Sequence, residues 1–160
     1  MLKLTADIDG ELQFSRTFTR YTENLDDLRQ LWPGVTAELR AIMREQFEGE
    51  GVGATGKWAG LAAGYKAWKA RHYPGKPILQ RSGRLLSSLT RNNGDSIVEP
   101  KSDSLVFGTR VPYAIHHQRG GGPLKRRKIF DLNQDQKNRL MKVIQRRLLQ
   151  AGRDAGFTLG

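Results

Sequence analysis

FGTRVPYAIHHQRG, from Phe107 to Gly120, is the stretch on which the reading of this chain turns. It opens on Leu105-Val106-Phe107, whose β-branched and aromatic side chains predict the end of a buried strand. Gly108 and Pro112 stop that strand, because proline has no N–H to give to a ladder. Tyr113 to Gln118 has the length of about one and a half helical turns. Gly120-Gly121-Gly122-Pro123 then leads into Lys125-Arg126-Arg127-Lys128. The reading is a strand, a short aromatic helix and a mobile basic loop, side by side. None of the three carries a hydrolytic or redox constellation.

On the N-terminal side, Ser96-Ile97-Val98-Glu99 predicts a second strand, joined to the first by the polar turn Pro100 to Asp103. Before it, Ser82 is placed as N-cap of a short helix with Leu85, Leu86 and Leu89 on its apolar stripe. Trp58, Leu61, Tyr65 and Trp68 are spaced three, four and three apart. That spacing predicts one helical face, and these four residues, with Leu85, are assigned to the core. Their helix ends near His72, since Pro74-Gly75 and Pro77 cannot continue it. Further upstream, Thr22 or Asn24 caps a short helix reaching about Leu31. A longer helix runs from Pro33, tolerated in a first turn, to Phe47, with Val35, Leu39, Ile42 and Met43 on its inner face. At the start, Leu2, Leu4, Ala6 and Ile8 alternate with polar residues, and Leu12, Phe14 and Phe18 resume after Asp9-Gly10. That pattern predicts a β-hairpin over residues 1–20 with a type I′ turn.

On the C-terminal side, Asn133 and Gln136 form a capping-box pair. The helix they open carries Leu140, Val143, Ile144, Leu148 and Ala151 inward, with Gly152 as its stop and 153–160 as a flexible tail. The fold class is therefore α+β: a small antiparallel sheet, including the N-terminal hairpin, packed against long N-terminal and C-terminal helices. Residues 1–160 read as one domain with a single modest core.

No run of eighteen apolar residues occurs, so no membrane span is expected, and the first residues lack a signal-peptide core. With no cysteine there is no disulfide framework and no thiolate metal site. The formal charge of +11 is lopsided. Residues 1–80 hold 11 Lys/Arg against 10 Asp/Glu, net +1; residues 81–160 hold 16 against 6, net +10. An anionic partner is expected for the C-terminal half, either nucleic acid or an acidic protein surface, set against a plain solvated face.

Two motifs invite chemistry and do not sustain it. Gly51 to Lys57 matches the first seven positions of a phosphate-binding P-loop, but Trp58 stands where a magnesium-binding hydroxyl belongs. A charged helix precedes it rather than a buried strand, so it reads as a link between helices. His116 and His117 are adjacent and point to different sides of a helix, whereas ligands on one face need a spacing of three or four. No serine sits in a nucleophile elbow. No catalysis, cofactor or metal is expected. The basic loop is more specific: Arg119, Lys125, Arg126, Arg127 and Lys128 put five cations in ten residues with no acid. Such a loop follows a phosphate backbone or orders on an acidic partner. Only Tyr113 and Phe130 lie nearby for stacking, so base readout is not indicated.

The order of these motifs resembles the phage virion morphogenesis proteins, the tail-completion proteins of Mu-like and related tailed phages. The resemblance rests on Phe47-Glu48-Gly49, Gly56 to Leu61, Tyr65 and Lys69, and Ile78 to Leu85. It continues through Gly108, Pro112-Tyr113-Ala114, His117 to Gly120, and Arg127, over roughly residues 35–150. It implies a structural neck or tail subunit of the virion, made in the host cytoplasm. It implies a homo-oligomeric ring, with a hexamer as one size, that completes the tail and helps join it to the head. Neck, connector and tail-tube proteins are the implied neighbours. Tyr113, His117 and Gln118, from their mixed polarity, and Arg119, Lys125, Arg126, Arg127 and Lys128, from their charge, are assigned to partner or oligomer contacts. The alternative is a basic accessory protein that binds DNA non-specifically.

Overall fold

The computed structural model describes residues 2–5, 27–52 and 56–154. Three strands make one antiparallel sheet in the order β1–β3–β2. They are β1 (Leu2–Thr5), β2 (Ser96–Pro100) and β3 (Leu105–Thr109). β2 and β3 form the expected hairpin, with Ser96 opposite Thr109 and Pro100 opposite Leu105. β1 lies on the other edge of β3, with Leu2 opposite Thr109 and Thr5 opposite Val106. The Asp9-Gly10 turn and second arm of the expected N-terminal hairpin lie outside the described residues, as do Thr22 and Asn24.

A 3-10 turn, Arg29–Leu31, leads into α1 (Trp32–Glu48), with Pro33 in the first turn where its missing N–H costs nothing. The inner stripe of α1, from Val35 through Leu39, Ile42 and Met43 to Phe47, is buried. It packs against α3 (Arg84–Thr90) and α5 (Gln134–Asp154). Leu85 and Leu89 from α3, Phe107 from β3, and Leu140, Ile144 and Leu148 from α5 complete one contiguous core. The α+β class with long flanking helices is the observed fold.

Local chemistry sets the element ends. α5 starts on the expected reciprocal pair: Gln136 N–H donates to Asn133 Oδ1 at 2.8 Å, and Asn133 N–H to Gln136 Oε1 at 3.1 Å. α5 continues past the expected stop at Gly152 to Asp154, and 155–160 lie outside the described residues. The cap of α3 also differs from expectation. Gly83, at φ +74°, is its N-cap, and Ser82 stands one residue earlier, accepting from Arg84 N–H at 3.4 Å.

α1 ends in a Schellman motif. Gly51 N–H donates to Gln46 O at 2.9 Å and Glu50 N–H to Phe47 O at 3.3 Å. Glu50 holds the left-handed position usually given to glycine, at φ +47°. Its carboxylate accepts from Ile78 N–H at 2.8 Å, a contact that glycine could not make. Gly51, at φ +96°, has no room for a side chain, because a Cβ there would come within 2.5 Å of the Trp58 ring.

Candidate functional site

Trp58 organises the surface that the basic segment occupies. Its ring is 4% exposed and meets Phe47 edge-on at 5.2 Å. Its backbone N–H donates to Glu50 O at 2.6 Å. Its indole N–H donates to Lys128 O at 2.8 Å, and Gln46 Nε2 donates to the same carbonyl at 3.2 Å. Glu50 and Gly51, at the entry to the P-loop-like stretch, therefore hold the chain tightly against an indole. They follow a helix rather than a strand, and Lys57 is exposed. The described part of this stretch is thus a built turn and not a plain link.

The basic segment is also built in, which corrects its reading as a free loop. Gly121 and Leu124 form an antiparallel bridge, and Arg127 N–H donates to His117 O at 2.8 Å. Arg127 is 5% exposed, and its guanidinium donates to Ala59 O at 2.8 Å and Gly60 O at 3.0 Å. Burial lowers its pKa from the usual arginine value. Lys128 pairs with Asp131 at 2.7 Å. Gln118, on α4 (Ala114–Arg119), acts as a clamp. Its Oε1 accepts from Ile129 N–H at 2.6 Å and Phe130 N–H at 3.0 Å, while its Nε2 donates to Phe130 O at 2.8 Å. Gln118, Arg127 and Lys128, assigned to partner contacts, thus hold partners within the chain. Arg119, Lys125 and Arg126 are the exposed cations of the segment. Local pattern could not reveal this, because the acceptors of Arg127 lie 67 and 68 residues away.

α2 (Ala63–His72) corrects a second assignment. Its only buried residue is Lys69. Tyr65 and Trp68, placed in the core from their spacing, are 42% and 40% exposed. The count of three, four and three assumed one helix from Trp58 onward, but residues 57–62 are not helical. Trp58 therefore packs inward, Leu61 is half-buried and the two aromatics face outward. They form a ladder on the helix: Tyr65 on Trp68 at 5.6 Å, Trp68 on His72 at 4.6 Å, and Tyr73 beside Trp68 at 5.7 Å. The Arg81 guanidinium sits over Tyr73 at 5.7 Å.

Between α2, the 79–84 turn, α4 and the basic segment runs an open groove of about 600 Å³. Its floor and walls include Leu61, Leu79, Tyr113 and Leu124. Among the described residues its charged lining is Lys69, Arg81, Arg84, Lys125 and Arg127, with no carboxylate. Lys69 Nζ donates to Pro77 O at 2.5 Å, and burial lowers its pKa. Arg84 is held bidentately by Asp95 at 2.6 and 2.7 Å, which raises its pKa and lowers that of Asp95. His117 also lines the groove. Burial, then the charges of Arg127 and His116, push its pKa below the usual histidine value, so the ring is neutral at pH 7. The groove thus brings together Tyr113, His117, Lys125 and Arg127 from the expected contact set.

The described lining of the groove therefore combines a neutral histidine with several cations. Among the described residues no group of three His, Cys, Asp or Glu could hold a metal ion. No described helix is long and apolar enough to cross a membrane. The family model that matches this chain is that of the phage virion morphogenesis family, over residues 10–157. No curated protein and no solved structure gives a significant match.

Proposed function

The chain belongs to the phage virion morphogenesis family, and on that premise we propose that it is a subunit of the phage neck or tail. In this reading it assembles as a ring that completes the tail and helps join it to the head. Membership points to a structural rather than a catalytic role in the virion. The observation that carries the finer reading is the exposed aromatic ladder of α2 beside a groove whose described lining is cationic. Contiguous exposed aromatics on a small soluble protein mark a protein–protein surface. They cost solubility in the free subunit, and burying them between subunits recovers that cost. Neck, connector and tail-tube proteins are the proposed neighbours.

The test is complementation of a phage lacking this protein. Tyr65→Ser with Trp68→Ser leaves the core untouched, so the subunit should fold normally. Infectious particles should drop sharply while separate heads and tails accumulate. Full complementation by that variant would sink the reading. One observation favours a second reading, non-specific contact with phage DNA: Arg119, Lys125 and Arg126 are exposed together with no acid among them.

A further inference from the structure

Two long stretches of the sequence hold no acid. Residues 51–94 carry eight Lys/Arg and no Asp or Glu, and residues 104–130 carry six and none. The described lining of the groove comes from these two stretches alone. Arg127 makes the consequence concrete. It is buried, and its guanidinium donates to the backbone carbonyls of Ala59, Gly60 and Lys125; among the described residues no carboxylate pairs with it. A buried charge without a counter-charge is unfavourable, and an anion brought beside it offsets part of that penalty. Two further lining cations, Arg81 and Lys125, are exposed and have no ion-pair partner among the described residues. Arg84, by contrast, is already paired with Asp95.

Two features select an acidic peptide over a nucleic acid strand. The first is the wall. Leu61, Leu79 and Leu124 give the groove an apolar surface between its cations. Leu79 stands at φ +61°, a left-handed conformation that a bulky residue rarely adopts, so backbone strain is held where this leucine meets the groove. A sugar–phosphate backbone has no apolar side chain to set against these leucines, whereas a peptide mixing carboxylates with apolar side chains matches both kinds of lining. The second is the ladder. Tyr65, itself a lining residue, stacks on Trp68 from one turn before, and His72 stacks on it from one turn after. Trp68 therefore offers its edge rather than a free face. A base stacks on a face, while a ring edge carries the positive part of the quadrupole and attracts a carboxylate.

We propose that the groove is the docking site for an acidic and apolar peptide segment of a neighbouring virion protein. Carboxylates of that segment meet the exposed Arg81 and Lys125 and sit in the field of Arg127. Its apolar side chains pack on Leu61, Leu79 and Leu124. That the neighbour is a virion protein rests on the neck-or-tail reading above; the chemistry of the segment rests on the groove alone.

Peptide titration on the full chain tests this. The probe is a fluorescein-labelled ten-residue peptide of alternating aspartate and leucine with blocked ends. One control peptide replaces the leucines by serine, another replaces the aspartates by lysine, and a ten-nucleotide thymidine strand stands for nucleic acid. Fluorescence anisotropy should show saturable binding of the acidic–apolar peptide and at least tenfold weaker binding of each control. Arg81→Glu with Lys125→Glu should weaken that binding at least tenfold and shift the preference to the lysine–leucine peptide. Lys57→Glu with Lys76→Glu changes the net charge equally, at exposed positions outside the groove lining, and should leave binding within twofold. Equal loss in the two double variants, tighter binding of the oligonucleotide, or no saturable binding of the acidic–apolar peptide overturns the proposal. Failure here leaves the virion reading to its own test, since particles are counted separately.

Discussion

The indole N–H of Trp58 donates to the backbone carbonyl of Lys128 at 2.8 Å, joining two segments 70 residues apart. This contact explains why a glycine-rich stretch that imitates a phosphate loop ends in tryptophan. Gly51 leaves room for the ring, and the ring fixes the basic segment. Trp58→Ala should destabilise by about 3–5 kcal/mol, the usual cost of emptying a large buried aromatic site. Trp58→Phe should cost less, because the ring against Phe47 survives and Gln46 still serves the carbonyl. Lys57→Ala should be within about 0.5 kcal/mol of wild type, as for an exposed side chain. Urea unfolding of the three variants orders them. Saturable ATP binding lost with Lys57→Ala would contradict the structural role of the stretch.

Gln118 replaces a strand neighbour for Ile129 and Phe130, whose side chains are buried. Gln118→Ala leaves both amide donors without that partner, and each buried unsatisfied group costs about 1–3 kcal/mol. Hydrogen exchange at the Ile129 and Phe130 amides should accelerate well above that of the β2–β3 ladder. Unchanged protection at both would show that the clamp is dispensable.

The four cations Lys125, Arg126, Arg127 and Lys128 are not equivalent. Replacing all four by serine would remove the Arg127 bonds to Ala59 and Gly60, and with them local structure. Arg127→Lys should lower the unfolding midpoint, since a single ammonium cannot reproduce the forked contact. Arg119→Ser, Lys125→Ser and Arg126→Ser together should leave the midpoint within experimental error. The same triple variant tests DNA contact. Direct binding through these three exposed cations would give a log–log salt slope near −2.7 on duplex DNA, at about −0.9 per phosphate. The expected result is no such binding at physiological salt. A slope of that size, abolished in the triple variant, would favour the nucleic-acid reading.

His117 links stability to pH. Its folded pKa lies below its unfolded value of about 6.5. The unfolded chain therefore binds the extra proton first as pH falls, and stability drops as pH goes below about 6.5 toward the folded pKa. Above about 6.5 this contribution is constant. His117→Gln should flatten the dependence between pH 5 and 7. An unchanged slope would assign it to other groups.

The sequence made local relationships legible and left distant ones hidden. Asn133 and Gln136 are three residues apart, so their cap is written in the pattern itself. The α1 stripe and the β2–β3 hairpin were legible for the same reason, since periodicity reports a face and a turn reports a reversal. Tyr65 and Trp68 were misread because spacing cannot see the chain leave helical geometry before Ala63. Nor can spacing say whether an aromatic face finds a partner inside the chain. Gln118 and Arg127 look like surface residues of a basic loop, and only their distant backbone partners reveal them as structural. Of the candidate site, the cations were visible in the sequence, but their arrangement around a groove was not.

As proposed above, this chain is a ring-forming part of the virion. The most direct measurement images purified particles carrying an epitope-tagged, functional copy of the protein. The expected result is label confined to the neck or tail end, with density for a closed ring of repeated subunits at that position. Infectious particles that lack the protein, or that carry it only as scattered single copies, would contradict the claim.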